Sequence, residues 1–192
     1  MHGLLENVEF HERLYRMDAK LAEEIQRRGC PRRNCEGPLH RSDFPRKVRG
    51  LAVDDTSLFE SRIGLCCGWC RRRVLPPTVR FFGRSSYAFI ATLAAVATTV
   101  ADAIALGARL VGAAWVTVAR WIRFLQCDIA CREAWQAARG RLPAVLPLER
   151  LPISLVEVFG SVESSDAWLS ALRWLSPITT APLYTPCMPR AG

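Results

Sequence analysis

The chain of 192 residues contains only two lysines and three histidines, and it lacks the short motifs that mark common catalytic sites. There is no glycine-rich phosphate loop, no His-Glu-x-x-His helix and no Gly-x-Ser-x-Gly turn. No spacing among the acidic residues singles out a set that could hold two catalytic metal ions. The sequence therefore predicts a protein that is not an enzyme.

The first residues also lack a basic start followed by a long apolar stretch, which is the pattern of a secretory signal. We therefore expect a cytoplasmic protein. In that compartment, cysteines that lie close in sequence bind metal more often than they form disulfides.

Positive charge is abundant and uneven. The net charge is +8, and nearly all of the basic residues are arginines. Residues 25–84 carry fourteen basic and five acidic residues, whereas residues 1–24 are net acidic. A basic excess of this kind indicates nucleic acid or an anionic membrane surface as a partner. The alternative is an ordinary solvated face.

Five cysteines fall inside the same basic segment. Cys30 and Cys35 form a C-x4-C pair, and Cys66, Cys67 and Cys70 offer a second pair. Two short-spaced pairs supply the four thiolates of a tetrahedral zinc site, which would be structural because its coordination shell is closed. The expected ligands are Cys30, Cys35, Cys67 and Cys70, with Cys66 as the alternative to Cys67. Unrelated buried cysteines are the competing interpretation.

These patterns predict an α+β fold that is mostly α. A small zinc β-ribbon lies between an N-terminal helix and a C-terminal helical domain with a helix-turn-helix. The expected parts are an N-terminal helix over 1–28, a zinc ribbon with a basic strand over 29–84, a helical domain over 85–176 and an irregular tail over 177–192. Strands are expected at Leu39–Phe44, Ser61–Leu65 and Val79–Phe82, and helices at 4–28, Cys127–Arg139, Leu151–Phe159 and Asp166–Leu175.

An apolar run at residues 88–119 is nearly long enough to cross a bilayer. Asp102, Arg109 and two glycines interrupt it, and alanine and threonine dominate it, which favours buried helices of a helical domain. A segment that spans the bilayer or lies in it is the alternative.

A basic run follows the second cysteine pair directly. Arginine binds phosphate in a forked, bidentate way. The residues expected to contact phosphate are Arg46, Lys47, Arg49, Arg71, Arg72, Arg73, Arg80 and Arg84. The aromatic residues Trp69, Phe81 and Phe82 are expected to pack under the sheet, with stacking on bases as the alternative.

The order of these motifs resembles a group of uncharacterised bacterial proteins that look like the zinc-ribbon front ends of insertion-sequence transposases. The resemblance is carried by Cys30-Pro31, Leu39–Lys47, Cys66–Arg73 and Pro76–Arg84. It covers about residues 27–84, and more weakly 168–180. It implies a zinc-bearing, DNA-binding module associated with mobile elements, and no particular reaction.

Residues 101–124 resemble the helix-turn-helix of many transposases and regulators. Leu110-Val111-Gly112 matches the turn, and Thr117–Trp121 matches the start of the second helix, which would enter the major groove of DNA. Val118 and Trp121 would anchor that helix in the core. The polar groups that could contact DNA there are Thr117, Arg120 and Arg123.

This segment departs from the pattern at three positions. Ala114 stands where a serine N-cap is expected, and Trp115 and Val116 stand where polar, base-reading side chains usually lie. We therefore expect weak sequence-specific reading.

The leading hypothesis is a zinc-containing, non-catalytic DNA-binding accessory protein related to mobile elements, either transposase-like or regulatory. The first alternative is a zinc-scaffolded interaction module that binds a transposase or a second copy of itself. The second alternative is a membrane-associated protein with residues 88–119 in the bilayer.

Overall fold

Two helices open the chain. The computed structural model describes residues 2–82, 86–98, 103–142 and 145–180. Helix α1 spans His2–Glu6 and helix α2 spans Val8–Arg28. The single helix predicted over 4–28 is broken because the Asn7 side chain accepts a hydrogen bond from Phe10 N, 2.9 Å away, and so caps a new helix. Gly29 follows α2 at φ 76°, so the helix stops at Arg28, where the sequence predicts its end.

Two small antiparallel sheets follow. Their strands are β1 (Leu39–Arg41), β2 (Phe44–Pro45), β3 (Ser61–Arg62), β4 (Leu65–Cys67) and β5 (Arg73–Val74). Three of them lie in the order β1-β4-β5, and β2 pairs separately with β3. The strand predicted at Val79–Phe82 is wrong. That segment makes one bridge, from Phe81 to Ala88, because its side chains enter the helical core.

Six helices form the rest of the described fold. They are α3 (Phe89–Ala97), α4 (Ala103–Val111), α5 (Trp115–Arg123), α6 (Glu133–Arg139), α7 (Ile153–Phe159) and α8 (Ser165–Leu175). The helix predicted at Cys127–Arg139 is shorter, since a π turn at Phe124–Asp128 and a 3-10 turn at Ile129–Cys131 precede α6. The tail predicted to be irregular over 177–192 begins in a 3-10 turn at Ser176–Thr180, and residues 181–192 lie outside the described residues. The protein is thus α+β and mostly helical, as predicted.

The first part of the apolar run, helix α3, lies in the centre of the core. Every residue of α3 from Phe89 to Val96 is buried, which requires neighbours on all sides of the helix. Among the described residues, no helix has both the length and the apolar character needed to cross a membrane.

The molecule has two separate apolar clusters. The large one joins Leu5, Phe10 and Leu14 of the N-terminal helices to the segment around Phe81 and to the helices from α3 onward. The small one consists of buried Cys30, Leu39, Leu65 and Cys67, with partly buried neighbours around them. The small cluster belongs to strands β1, β4 and β5 and the two cysteine loops beside them, a unit called the ribbon below, and it contains two of the predicted metal ligands.

Candidate metal centre

Four cysteines converge at one end of the sheet. Cys30 and Cys35 lie in the loop between α2 and β1, Cys67 ends β4, and Cys70 lies in the turn after it. Their sulfur atoms all lie within 4.8 Å of one another. The Sγ atoms of Cys30 and Cys70 are 3.7 Å apart, and those of Cys35 and Cys67 are 3.6 Å apart. This cluster could hold a metal ion.

The sheet register brings the two cysteine pairs together. Strand β1 pairs with β4 so that Leu39 lies opposite Cys67. The loop from Cys30 to Cys35 leads directly into β1, so this pairing places the second cysteine turn beside the first. Gly68 N also donates to Pro38 O at 2.9 Å, which joins the turn after β4 to the residue before β1.

Tight turns hold each cysteine pair. Gly29, Asn34 and Arg71 all have positive φ, at 76°, 61° and 58°. Asparagine tolerates this region better than most residues, whereas arginine is strained there. The backbone N–H of Cys35 donates to Arg32 O at 3.0 Å, and that of Arg71 donates to Cys67 O at 3.1 Å. Each turn therefore bends sharply next to a cysteine.

Gly37 is the residue that the close approach of the turns requires. A Cβ at this position would lie 2.6 Å from Cys67 Sγ and 2.9 Å from Trp69 Cβ. Both distances are shorter than real Cβ contacts. Any side chain at Gly37 would therefore displace the sulfur.

Backbone hydrogen bonds act on the sulfur atoms. A hydrogen bond from the backbone of Arg72 lowers the pKa of Cys70 to about 6. The backbone of Arg32 favours the Cys30 thiolate in the same way, but burial and the three neighbouring sulfurs raise the pKa of Cys30 to about 12. The four sulfur atoms are thus close enough to shift one another's pKa.

The structure places Cys67 in the cluster and Cys66 outside it. Successive side chains of a strand point to opposite faces, so the two neighbours cannot both face the other sulfurs. Cys66 lies opposite His40 in the register. His40 is exposed and lies against Gly68, where a Cβ would be 3.0 Å from His40 Nε2.

The residues predicted to contact DNA differ in how much they are exposed to solvent. Arg84 lies outside the described residues, Arg46 and Thr117 are half-buried, and Arg80 is buried. The exposed members are Lys47, Arg49, Arg71, Arg72, Arg73, Arg120 and Arg123. Arg73 lies with its guanidinium carbon 5.2 Å from the ring centre of Phe44. Arg46 lies in the same way over Phe81 at 5.5 Å, and burial lowers its pKa.

Arg80 is a correction to the sequence prediction. Its side chain has no exposed surface, and its Nε donates to Asp18 Oδ2 at 2.8 Å. Its guanidinium carbon also lies 4.8 Å from the ring centre of Tyr15. Arg80 is therefore part of the buried core and cannot contact a phosphate.

Asp18 is the centre of a buried polar network that the sequence did not reveal. Besides Arg80, it accepts hydrogen bonds from Thr78 Oγ1 at 2.5 Å and from Val79 N at 2.6 Å. Burial raises the pKa of the Asp18 carboxyl, and Arg80 and the two other donors act against that rise. The network ties α2 to the segment that joins the ribbon to the helical region.

The aromatic residues split in a way that sequence reasoning missed. Phe81 and Phe82 are buried as predicted, but Trp69 is 69% exposed. Sequence reasoning also passed over Arg32 and Arg33, which are exposed in the first cysteine turn. The signal was present, because both arginines stand between two predicted ligands.

In the helix-turn-helix region, α4 and α5 are joined by residues 112–114, and Gly112 has φ 61°. Val118 and Trp121 are buried, as expected for anchors of α5. Ala114 precedes α5 without a side-chain cap, and Trp115 is 65% exposed. The helix-turn-helix itself stays a prediction.

Comparison of the chain with protein-family models, with curated proteins and with solved structures gives no match. The resemblance to transposase zinc ribbons therefore stays a prediction as well.

Proposed function

We propose that this chain is a zinc-containing, non-catalytic protein that binds nucleic acid through the basic turns of its metal centre. One observation carries the proposal. The two turns that meet at the cysteine cluster expose five arginines around it: Arg32, Arg33, Arg71, Arg72 and Arg73.

The spacing of the sulfurs supports zinc as the metal. Zinc–thiolate bonds of about 2.3 Å in a tetrahedron give sulfur–sulfur edges of about 3.8 Å. The two short sulfur–sulfur distances, 3.7 Å and 3.6 Å, are close to this value. Four thiolates fill the coordination shell, so no position is left for water or substrate, and the metal is structural.

Metal content tests this part of the proposal. Protein purified under reducing conditions should contain about one zinc per chain by elemental analysis, and Cys30→Ser should contain almost none. The matched control is Cys66→Ser, which removes a neighbouring thiol that lies outside the cluster. Iron with its visible absorption would contradict zinc, because four thiolates also suit iron. A wild-type protein that is folded but contains no metal would contradict the proposed metal site altogether.

Electrostatics supports nucleic acid as the partner. Exposed arginines on a rigid turn can each contact a phosphate, and such binding weakens as the salt concentration rises, because releasing counterions then gains less free energy. Residues 30–35 and 67–73 contain no acidic residue, and the acidic residues nearest to them in sequence are Glu36, Glu24 and Glu60, so the surface keeps a positive excess. DNA is the substrate we propose, in line with the transposase resemblance and its mobile-element context.

Salt-dependent binding tests the surface. Replacing Arg71, Arg72 and Arg73 by alanine should weaken DNA binding and reduce the log–log salt slope by up to about 0.9 for each phosphate that the variant no longer neutralises. The control is Arg139→Ala/Arg141→Ala, which removes exposed arginines far along the chain from the cluster. Unchanged affinity and unchanged slope in the triple variant would show that this surface does not bind DNA.

The α4–α5 pair supports a second candidate function, the protein-interaction module. It exposes Leu106 (57%), Trp115 (65%) and, to a lesser degree, Ile104 and Val116. Neighbouring exposed apolar side chains are typical of interaction sites. Stable oligomers on gel filtration that do not respond to nucleic acid would favour this function over the first.

A further inference from the structure

Trp69 stands exposed between two of the cysteines. It lies in the turn Cys67–Cys70, and 69% of its surface faces solvent. No ring and no guanidinium within the described ranges stacks on it. An indole of this size normally buries most of its area. We therefore expect a tryptophan side chain that is held in solvent beside the cysteine cluster to contact a binding partner.

The backbone around Trp69 is fixed on both sides. Gly68 N donates to Pro38 O at 2.9 Å, and Cys67 N donates to Arg72 O at 3.0 Å. The Trp69 Cβ also lies close above Gly37, where any side chain would collide with it. Metal ligation by Cys67 and Cys70 would fix the turn further. A ring carried by a rigid backbone turn loses little conformational entropy when a flat binding partner stacks on it.

The charge around the ring defines that partner. Arg71 and Arg72 follow Trp69 within the same turn, and Arg32 and Arg33 belong to the adjoining turn. The sulfur atoms of the two turns lie within 4.8 Å of one another, so all four arginines surround the same end of the ribbon. The partner must therefore combine a flat apolar face with negative charge. A nucleobase on a phosphate backbone has both.

We infer that Trp69 is a stacking platform for a base of single-stranded nucleic acid, while the arginines of the two turns hold the adjacent phosphates. A base in a duplex has its faces covered by its neighbours, so it cannot stack on Trp69 without leaving the helix. A single strand presents its bases without that cost, and base–aromatic stacking is the usual basis of binding to single strands. This inference rests on the proposed function and narrows the nucleic acid that the protein binds to single strands.

The experiment measures fluorescence anisotropy of labelled oligothymidylate, oligouridylate and a DNA duplex of equal length, each titrated with the metal-loaded full chain. The wild type should bind a single strand more tightly than the duplex, and the two homopolymers tell DNA from RNA. Trp69→Ala should weaken single-strand binding about 5- to 100-fold, by the usual strength of base stacking. Its salt slope should stay unchanged, because every arginine that contacts phosphate is still present.

Two variants sharpen the test. Trp69→Phe keeps a smaller ring and should recover most of the affinity that Trp69→Ala loses, so it decides the question if the alanine variant fails to bind metal. Trp115→Ala removes the other strongly exposed tryptophan and should bind single strands like the wild type.

The outcomes separate the two proposals. If Trp69→Ala binds single strands as well as the wild type does, while the arginine triple variant binds weakly, the stacking role is wrong and the proposed function stands. A wild type that prefers the duplex also overturns the stacking role. If the metal-loaded wild type binds none of the three probes, the proposed function fails and the stacking role fails with it.

Discussion

The ribbon and the helical region bury very different material. In the helical region, large side chains such as Phe89, Trp121 and Trp168 pack into one continuous core. In the ribbon, the buried residues of the cluster are Cys30, Leu39, Leu65 and Cys67, so half of them are cysteines of the candidate metal site. The strands there are only two or three residues long.

This difference shows what each region needs in order to fold. The four buried side chains of this cluster cannot offset the conformational entropy of the roughly twenty residues ordered around them, at positions 30–41 and 65–74, because each ordered residue costs roughly 1.5 kcal/mol. A metal ion bound by the four thiolates would supply the missing free energy. The helical region needs no such help, since its apolar burial is large. The metal should therefore stabilise one region and leave the other nearly unaffected.

Removing the metal should have the largest effect of all on the difference in stability between the two regions. Chelation, or Cys30→Ser, should remove about 10 kcal/mol or more of folding free energy from the ribbon. Hydrogen exchange on the full chain should then become fast at residues 30–41 and 65–74, which surround the small cluster, and stay slow in α3 and α8. Equal loss of protection in both regions would show that they fold as one unit.

The Cys66→Ser protein is the control for that measurement. It removes a thiol that is one residue away from a ligand but outside the cluster. We expect its exchange pattern and metal content to match the wild type. If Cys66→Ser also loses the metal, the assignment of Cys67 as the ligand is wrong.

The junction between the regions depends on charge rather than on metal. Asp18→Asn leaves the guanidinium of Arg80 buried without its counter-charge, and breaking a buried pair in this way costs about 3–5 kcal/mol. Urea unfolding should show this loss in metal-loaded protein. The exposed pair of Glu157 with Arg150 is the control, and Glu157→Gln should cost at most about 1 kcal/mol.

A double variant checks the cause of that loss. Asp18→Asn/Arg80→Met removes both charges, so it should be less destabilised than the sum of the two single variants. Additive losses would show that the ion pair contributes nothing beyond its separate hydrogen bonds.

The sequence predicted the parts of this fold that depend on local signals. The end of α2 at Gly29 requires a positive φ, and helices near α7 and α8 follow from apolar spacing. The cysteine cluster was predicted because short spacings between ligands are set by the geometry of one metal ion. Sequence alone left Cys66 and Cys67 open, since only the register of β1 against β4 decides which of them faces the cluster.

The misses depend on long-range packing. Arg80 belongs to a basic run in the sequence, and its burial follows from Asp18, which lies far away on α2. Trp69 was predicted to pack under the sheet, because large aromatic side chains are usually covered. Its Cβ and Cγ instead lie against Gly37 of the other turn, and 69% of the residue is exposed. Neither relation has a local signature.

The smallest expected effect is the pH dependence of stability that His11 contributes, which separates the acid sensitivity of the helical region from that of the ribbon. Its side chain is 2% exposed, its Nε2 donates to Leu4 O at 3.1 Å, and its ring meets Phe59 edge-on at 5.3 Å. Burial lowers the pKa of His11 below its ordinary 6.5, although the bond to Leu4 partly opposes this. The unfolded chain therefore takes up a proton at a higher pH than the folded chain does. The stability contributed by neutral His11 is present above about pH 6.5 and is lost as the pH falls toward the folded pKa.

The pH dependence of urea unfolding measures this contribution. Stability should fall by up to about 1.4 kcal/mol for each pH unit below 6.5 in the wild type. His11→Gln does not titrate, and its amide can still donate to Leu4 O, so its stability should fall less steeply. Acid also protonates the cysteines and releases the metal, but it does so in both proteins, so the difference between them isolates the helical region. Parallel curves for the two proteins would mean that His11 has the same pKa in the folded and unfolded chain, and that the acid sensitivity belongs to the ribbon.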